Sequence, residues 1–234
     1  MKLLSLILLS FGFCSGAFAE DWTGEAEAGA VMVTGNTKSE SYALKTNTSY
    51  KQEFNIYRLS GRYLNTTAND VEISRHWEAG VRYERTLSDR FSLYIGQKYE
   101  GDIFNGYRQR DSSDLGAKYF IIKEGDQSWF TELGYRYQKT QPTTCCTNYD
   151  NLLRVYTEVN KKIEENLSVR FWVEHLPNFT QPDAYLTNSE ASLNIMLNKV
   201  FSTKLAYLLQ YQNTPPSNGK YTTTTTTMNL VAKY

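Results

Sequence analysis

A set of charged residues recurs at alternate positions of otherwise apolar stretches: Lys45, Arg58, Arg62, Arg82, Glu84, Lys98, Glu100, Lys118, Glu132, Arg136, Arg154, Glu158, Arg170, Glu174 and Glu190. Basic and acidic members are nearly matched along neighbouring stretches. Two kinds of chemistry suit such a set. The side chains can pair across an enclosed space as a salt-bridged polar filling that stiffens a wall. Alternatively, they can line a narrow aqueous passage for small solutes.

Other reactive residues are sparse. The two histidines are His76 and His175. Counting by twos puts His175 and Ser189 on the same face of adjacent stretches, within conceivable reach as a base and a nucleophile. No phospholipase-like motif surrounds them, so the chain is not expected to be an enzyme. Cys145 and Cys146 are adjacent. In an oxidising compartment such a pair allows a disulfide, but adjacent cysteines close one only with strain. Free thiols or a link between two molecules are the other readings. No histidine accompanies them, so no metal site is expected, and no cofactor. The stretch Gly101–Ser112 carries Asp102, Arg108, Arg110 and Asp111 and reads as a solvated loop whose charges would meet lipopolysaccharide phosphates or a ligand. Basic and acidic residues number 25 each, so nothing points to nucleic acid.

These residues must be positioned by strands, because their period is two. Twelve such segments can be counted. Their opposite face is apolar or aromatic: Trp22, Ala26, Ala28 and Ala30 in the first, Tyr42 to Tyr50 in the second, Tyr57 to Tyr63 in the third, Trp77 to Tyr83 in the fourth. Leu93 and Ile95, Leu115 to Ile121, Leu133 to Tyr137, Val155 and Val159, and Leu167 to Val173 continue the series. Ala191 to Leu197, Leu205 to Tyr211, and Met228 to Tyr234 complete it. The middles of these faces hold no Asp, Glu, Lys or Arg. Aromatics make up 14% of the chain, with 18 Tyr. Several segments begin and end their apolar face on Tyr or Trp, as in two girdles one membrane thickness apart. The four Trp and most of the Tyr are assigned to that face.

Short turns alternate with polar connections, the longer ones being Asn65–Arg75, Gly101–Ser112, Lys139–Tyr149, Leu176–Ala184 and Asn213–Lys220. The turn Gly35–Lys38 is short where a long loop is due. The stretch Tyr221–Tyr234 ends on an aromatic residue, and pairing it with the first segment removes a sheet edge. The fold expected is all-β: a single closed antiparallel transmembrane up-and-down β-barrel of about 12 strands. Residues 1–19 read as a cleaved signal peptide, with an apolar run and Ala17-Phe18-Ala19 before Glu20, so Cys14 would leave with it. Residues 20–234 then form the barrel, located in the bacterial outer membrane. A soluble barrel with the Trp and Tyr face inside is the alternative. A surface-binding or structural role is the alternative to a passage.

The sequence also resembles the salt-induced outer-membrane protein family, domain of unknown function 481. The resemblance rests on Thr34-Gly35-Asn36-Thr37, Tyr99-Glu100-Gly101-Asp102-Ile103-Phe104, Leu115-Gly116-Ala117-Lys118-Tyr119, Glu132-Leu133-Gly134-Tyr135-Arg136-Tyr137 and Tyr211-Gln212-Asn213-Thr214-Pro215-Pro216. It covers nearly all of residues 20–234. The family ends on Phe where this chain has Tyr234, and the loop holding Cys145 and Cys146 is outside its pattern. The resemblance implies an outer-membrane barrel, with outer-membrane lipid, lipopolysaccharide and the barrel-assembly machinery (through Tyr221–Tyr234) as partners. It supplies no biochemical activity and no solute.

Overall fold

The computed structural model describes residues 21–33, 39–215 and 220–234. The signal segment with Cys14, the Gly35–Lys38 turn and part of the Asn213–Lys220 connection lie outside the described residues. Twelve strands follow one another: β1 (Trp22–Val33), β2 (Ser39–Gln52), β3 (Asn55–Ala68), β4 (Val71–Thr86), β5 (Phe91–Asp102) and β6 (Tyr107–Lys123), then β7 (Gln127–Pro142), β8 (Asn148–Glu164), β9 (Leu167–Leu176), β10 (Leu186–Met196), β11 (Phe201–Gln212) and β12 (Thr222–Lys233). Each pairs antiparallel with its neighbours in sequence, and β12 pairs with β1 to close the barrel. Closure satisfies the backbone groups that an open edge would leave unpaired.

The seam is short. It runs from Glu25 opposite Lys233 to Ala28 opposite Leu230. The Tyr234 backbone extends it, donating to the Gly24 carbonyl at 3.0 Å and accepting from the Gly24 amide at 2.9 Å. The Tyr234 ring lies over Gly24, where any β-carbon would collide with it. Its hydroxyl hydrogen-bonds Thr48 Oγ1 at 2.7 Å.

Alternation decides the two faces. Leu44, Leu59, Val81, Ile95, Leu115, Leu133, Leu205 and Leu230 are exposed on the outside. Glu84, Glu100, Lys118, Glu132, Arg136 and Arg154 are buried inside. This is the reverse of a soluble barrel, in which the apolar face fills the core. Rings cluster near both rims. Trp22, Tyr50, Tyr57 and Tyr83 follow one another at centroid spacings of 4.8, 6.2 and 5.3 Å at the short-turn end. Tyr185, Tyr211 and Tyr221 do so at 5.9 and 6.4 Å at the other.

Three connections differ from the sequence expectation; Lys139–Tyr149 shrinks to residues 143–147, because β7 runs to Pro142 and β8 begins at Asn148. Asn65–Arg75 is not a loop: β3 and β4 continue through it, and only Asn69 and Asp70 separate them. Both have positive φ, 50° and 62°, as a two-residue type I′ hairpin turn demands. Gly101–Ser112 is likewise mostly hairpin, turned at residues 103–106 with Gly106 at φ 87°. The reason is the same in both cases. Polar strands that run past the apolar belt are solvated on both faces, so their composition mimics a loop. Beyond β9, the connection folds back along β8. Asn178 bridges Leu152 and donates to Asp150 at 3.0 Å, burying Leu152 and Leu176 near this rim.

Candidate functional site: the charged lumen

The interior charges form a connected chain along the wall from β3 to β9. Arg58 Nη1 donates to Glu84 at 3.0 Å, and Lys118 Nζ lies 3.5 Å from the same carboxylate. Arg82 reaches Glu84 at 3.3 Å and grips Glu132 through both Nη atoms at 3.0 and 2.7 Å. Arg154 meets Glu132 at 2.5 Å and Glu174 at 2.7 Å. Arg136 meets Glu174 at 3.3 Å and forks onto Asp114 at 2.6 and 2.9 Å. Such forks are the strong, geometrically specific form of a charged hydrogen bond.

Three smaller groups complete the wall. Glu100 joins Lys98 at 2.6 Å and Arg110 at 3.2 Å toward the loop end. Glu158 accepts from Arg170 at 2.7 Å and from the Tyr156 hydroxyl. Glu27 holds Lys204 at 2.9 Å and Lys45 at 3.5 Å, while Glu190 stands 3.8 Å from Lys204. Arg62 lines the same space, register-paired with Glu78, and forms none of these bridges.

Several members go beyond the sequence candidates: Glu27, Asp114, Lys204 and a set of interior rings. Tyr94 lies beneath the Arg82 guanidinium, 3.8 Å from its ring centre, and accepts from Arg154 at 3.0 Å. Phe120, Phe130, Tyr156 and Trp172 follow one another at 5.4, 5.9 and 5.8 Å. Trp172 therefore faces inward, not outward with the other Trp. Parity already requires this, because it lies between Arg170 and Glu174.

Two other candidates resolve differently. Arg110 is not a solvated loop charge. It turns inward to Glu100, with its guanidinium 3.9 Å from the centre of the Tyr107 ring. His175 bonds Thr187 Oγ1 through Nδ1 at 2.9 Å, whereas Ser189 is register-paired with Val173, so the two make no nucleophile–base pair. Cys145 and Cys146 lie side by side in the β7–β8 connection with both thiols free and exposed, and Cys146 has φ 51°. The side chain of Cys146, hydrogen-bonded to the Cys145 thiol, raises the Cys145 pKa above its usual value.

The walls enclose a cavity of about 740 Å³. It is bounded by Ser49 and Arg58 toward the short turns and by Asn105 and Gln212 toward the long connections. Among the described residues no cluster of three or more His, Cys, Asp or Glu is suited to a metal ion.

Similar architecture recurs among outer-membrane pores. The NanC porin superposes with a TM-score of 0.54 at 10% identity, over 90% of this chain and 98% of that one. The COG4313 outer membrane channel from Pseudomonas putida F1 gives 0.55 at 9% identity, over 91% and 94%. At such identities the likeness shows the fold: a closed barrel of the outer-membrane porin type. A relative from Escherichia coli (strain K12), "Uncharacterized protein YdiY", is 29% identical over 217 residues, covering 88% of this chain and 81% of its own. The match to the family model spans residues 26–234, and the chain belongs to the family described as "Protein of unknown function, DUF481".

Proposed function

We propose that this protein is a non-enzymatic outer-membrane barrel whose lumen is a narrow passage for small polar solutes. The supporting observation is the cavity of about 740 Å³ that borders residues near both rims of the barrel. Strand number points to small solutes only. Eight strands are just filled by side chains and sixteen to eighteen leave an open channel, so twelve strands with inward Arg and Lys fall between.

In this reading residues 1–19 direct export and are removed. The short turns face the periplasm. The apolar belt meets lipid, the long connections meet lipopolysaccharide, and Tyr221–Tyr234 is presented to the assembly machinery. A second reading, a closed and purely structural barrel, is favoured by the chain from Arg82 to Asp114, which fills one side of the lumen. Conductance in planar bilayers, followed by liposome swelling with sugars of graded size, separates the two. The passage predicts conductance above the lipid baseline and entry of the smallest sugars only. A silent bilayer would leave the structural reading.

A further inference from the structure

We infer that the passage selects small anions, solutes bearing a carboxylate or a phosphate; this rests on the passage reading above. The whole chain is balanced at 25 basic and 25 acidic residues, so net charge gives no hint of it. What matters is which member of each ion pair meets the lumen water.

In one pair after another it is the cation. The Arg58 side chain is 35% exposed and its partner Glu84 2%. Lys98 is 32% exposed against 8% for Glu100, and Arg170 32% against 10% for Glu158. Lys45 is 23% exposed and Glu27 2%. The cause is side-chain length. A Glu carboxylate stays close to the strand, and the longer Lys or Arg stem arches over it and presents its head to the water. The carboxylate is spent on its partner, whereas the guanidinium keeps donors: Arg58 engages Glu84 through Nη1 and Arg170 engages Glu158 through Nη2. Arg62 lines the cavity as well, beside its register partner Glu78.

The exceptions mark a different part of the wall. Arg136 is more buried than Asp114 and Glu174, and Arg154 is buried about as deeply as Glu174. These belong to the ion-pair cluster on one side of the barrel, and Lys204 and Glu190, on β11 and β10, are equally buried. Glu78 is more open than His76, but it is register-paired with Arg62.

The exposed cations sit on β2, β3, β5 and β9, so they are spread around the wall. Arg58 lies near the β2–β3 turn, while Lys98 lies toward the far end of β5. They therefore also mark out the length of the passage. Low-dielectric walls focus such a field and concentrate counter-ions. Lys and Arg lining a pore is the arrangement that passes anions, and the guanidinium fork matches carboxylate and phosphate oxygens.

The test is the reversal potential of the folded full-length barrel in a planar bilayer under a KCl gradient. Chloride should permeate over potassium by about threefold or more. The triple variant Arg58→Gln, Lys98→Gln, Arg170→Gln should bring the ratio to near unity while the pore still conducts. Arg170→Gln alone should move it part of the way, which covers a triple variant that fails to fold. Conductance that favours potassium or neither ion in the unmodified chain, or a ratio unmoved by these changes, would overturn the anion selectivity and leave the passage standing. No conductance at all would overturn the passage, and the selectivity with it.

Discussion

The hydroxyl of Tyr94 lies 2.6 Å from the point where a β-carbon on Gly134 would stand. Gly116 on the neighbouring strand has the same relation to it. Two inward glycines therefore make the seat for a ring, and that ring underlies the Arg82 and Arg154 guanidinium groups. A Gly134→Ala methyl would also meet the Leu115 carbonyl, 2.8 Å away, which cannot swing aside. The expected loss of stability is about 1–3 kcal/mol, as for other overpacked sites. Urea unfolding in lipid would measure it. Gly125→Ala is the control, because nothing lies within 4 Å of the added carbon and little should change.

Arg154 joins two carboxylates, Glu132 and Glu174, in a part of the lumen that is nearly closed to water. Arg154→Met keeps the stem and removes the charge. Glu132 retains Arg82, and Glu174 retains Arg136 at a longer 3.3 Å. Removing one member of a buried pair generally costs about 3–5 kcal/mol, because a desolvated charge remains. The second cation on each carboxylate should hold the loss to the lower end of that range. A loss below about 1 kcal/mol would mean that this wall is wet, like a surface ion pair.

Closure depends on a short seam, so Gly24 is exposed to a simple test. Gly24→Val places a branched side chain where the Tyr234 ring lies. It should slow or prevent assembly, visible as loss of the compact, heat-modifiable band on a gel. Tyr234→Phe removes the hydroxyl contact with Thr48 and keeps the ring over Gly24, so it should assemble nearly normally. If Gly24→Val assembles as well as the unmodified chain, the ring contact is not part of closure.

The Cys145 thiol is exposed and has its pKa raised by the hydrogen bond with Cys146. The thiolate is the reactive form, so a raised pKa lowers the reactive fraction at a given pH. In Cys146→Ala, Cys145 should react faster with a maleimide or disulfide reagent at pH 8, and the rate should reach its plateau at lower pH. An unchanged profile would show that the neighbouring thiol has no such effect.

Strand number and facing were legible because one face carries charge and the other does not, residue by residue. Trp172 shows what happens when that rule is set aside. Grouping the Trp by type put it outside, whereas its place between Arg170 and Glu174 put it inside. The extension of β3 and β4 through Asn65–Arg75 was hidden by polarity, although Val71 and Ile73 kept the period of two. The identity of the ion pairs was not legible. Whether Arg82 meets Glu132 or another carboxylate depends on the stagger between strands and on reach across the lumen. A list of inward residues leaves both open.

The orientation of the two faces can be tested without any knowledge of a solute. Leu133 is exposed at mid-strand on the outer face, and its neighbours in sequence, Glu132 and Gly134, face the lumen. Leu133→Arg would place a charge among lipid tails, which costs about 2–4 kcal/mol near the bilayer midplane and little at the interfaces. The same substitution at Trp22 or Tyr57, in the girdle, should cost much less. Folding into vesicles of graded thickness would show the penalty at Leu133 shrinking as the bilayer thins and the midplane comes closer to water. If Leu133→Arg were neutral in every vesicle and the protein stayed folded without lipid or detergent, the outer face would be one that meets water.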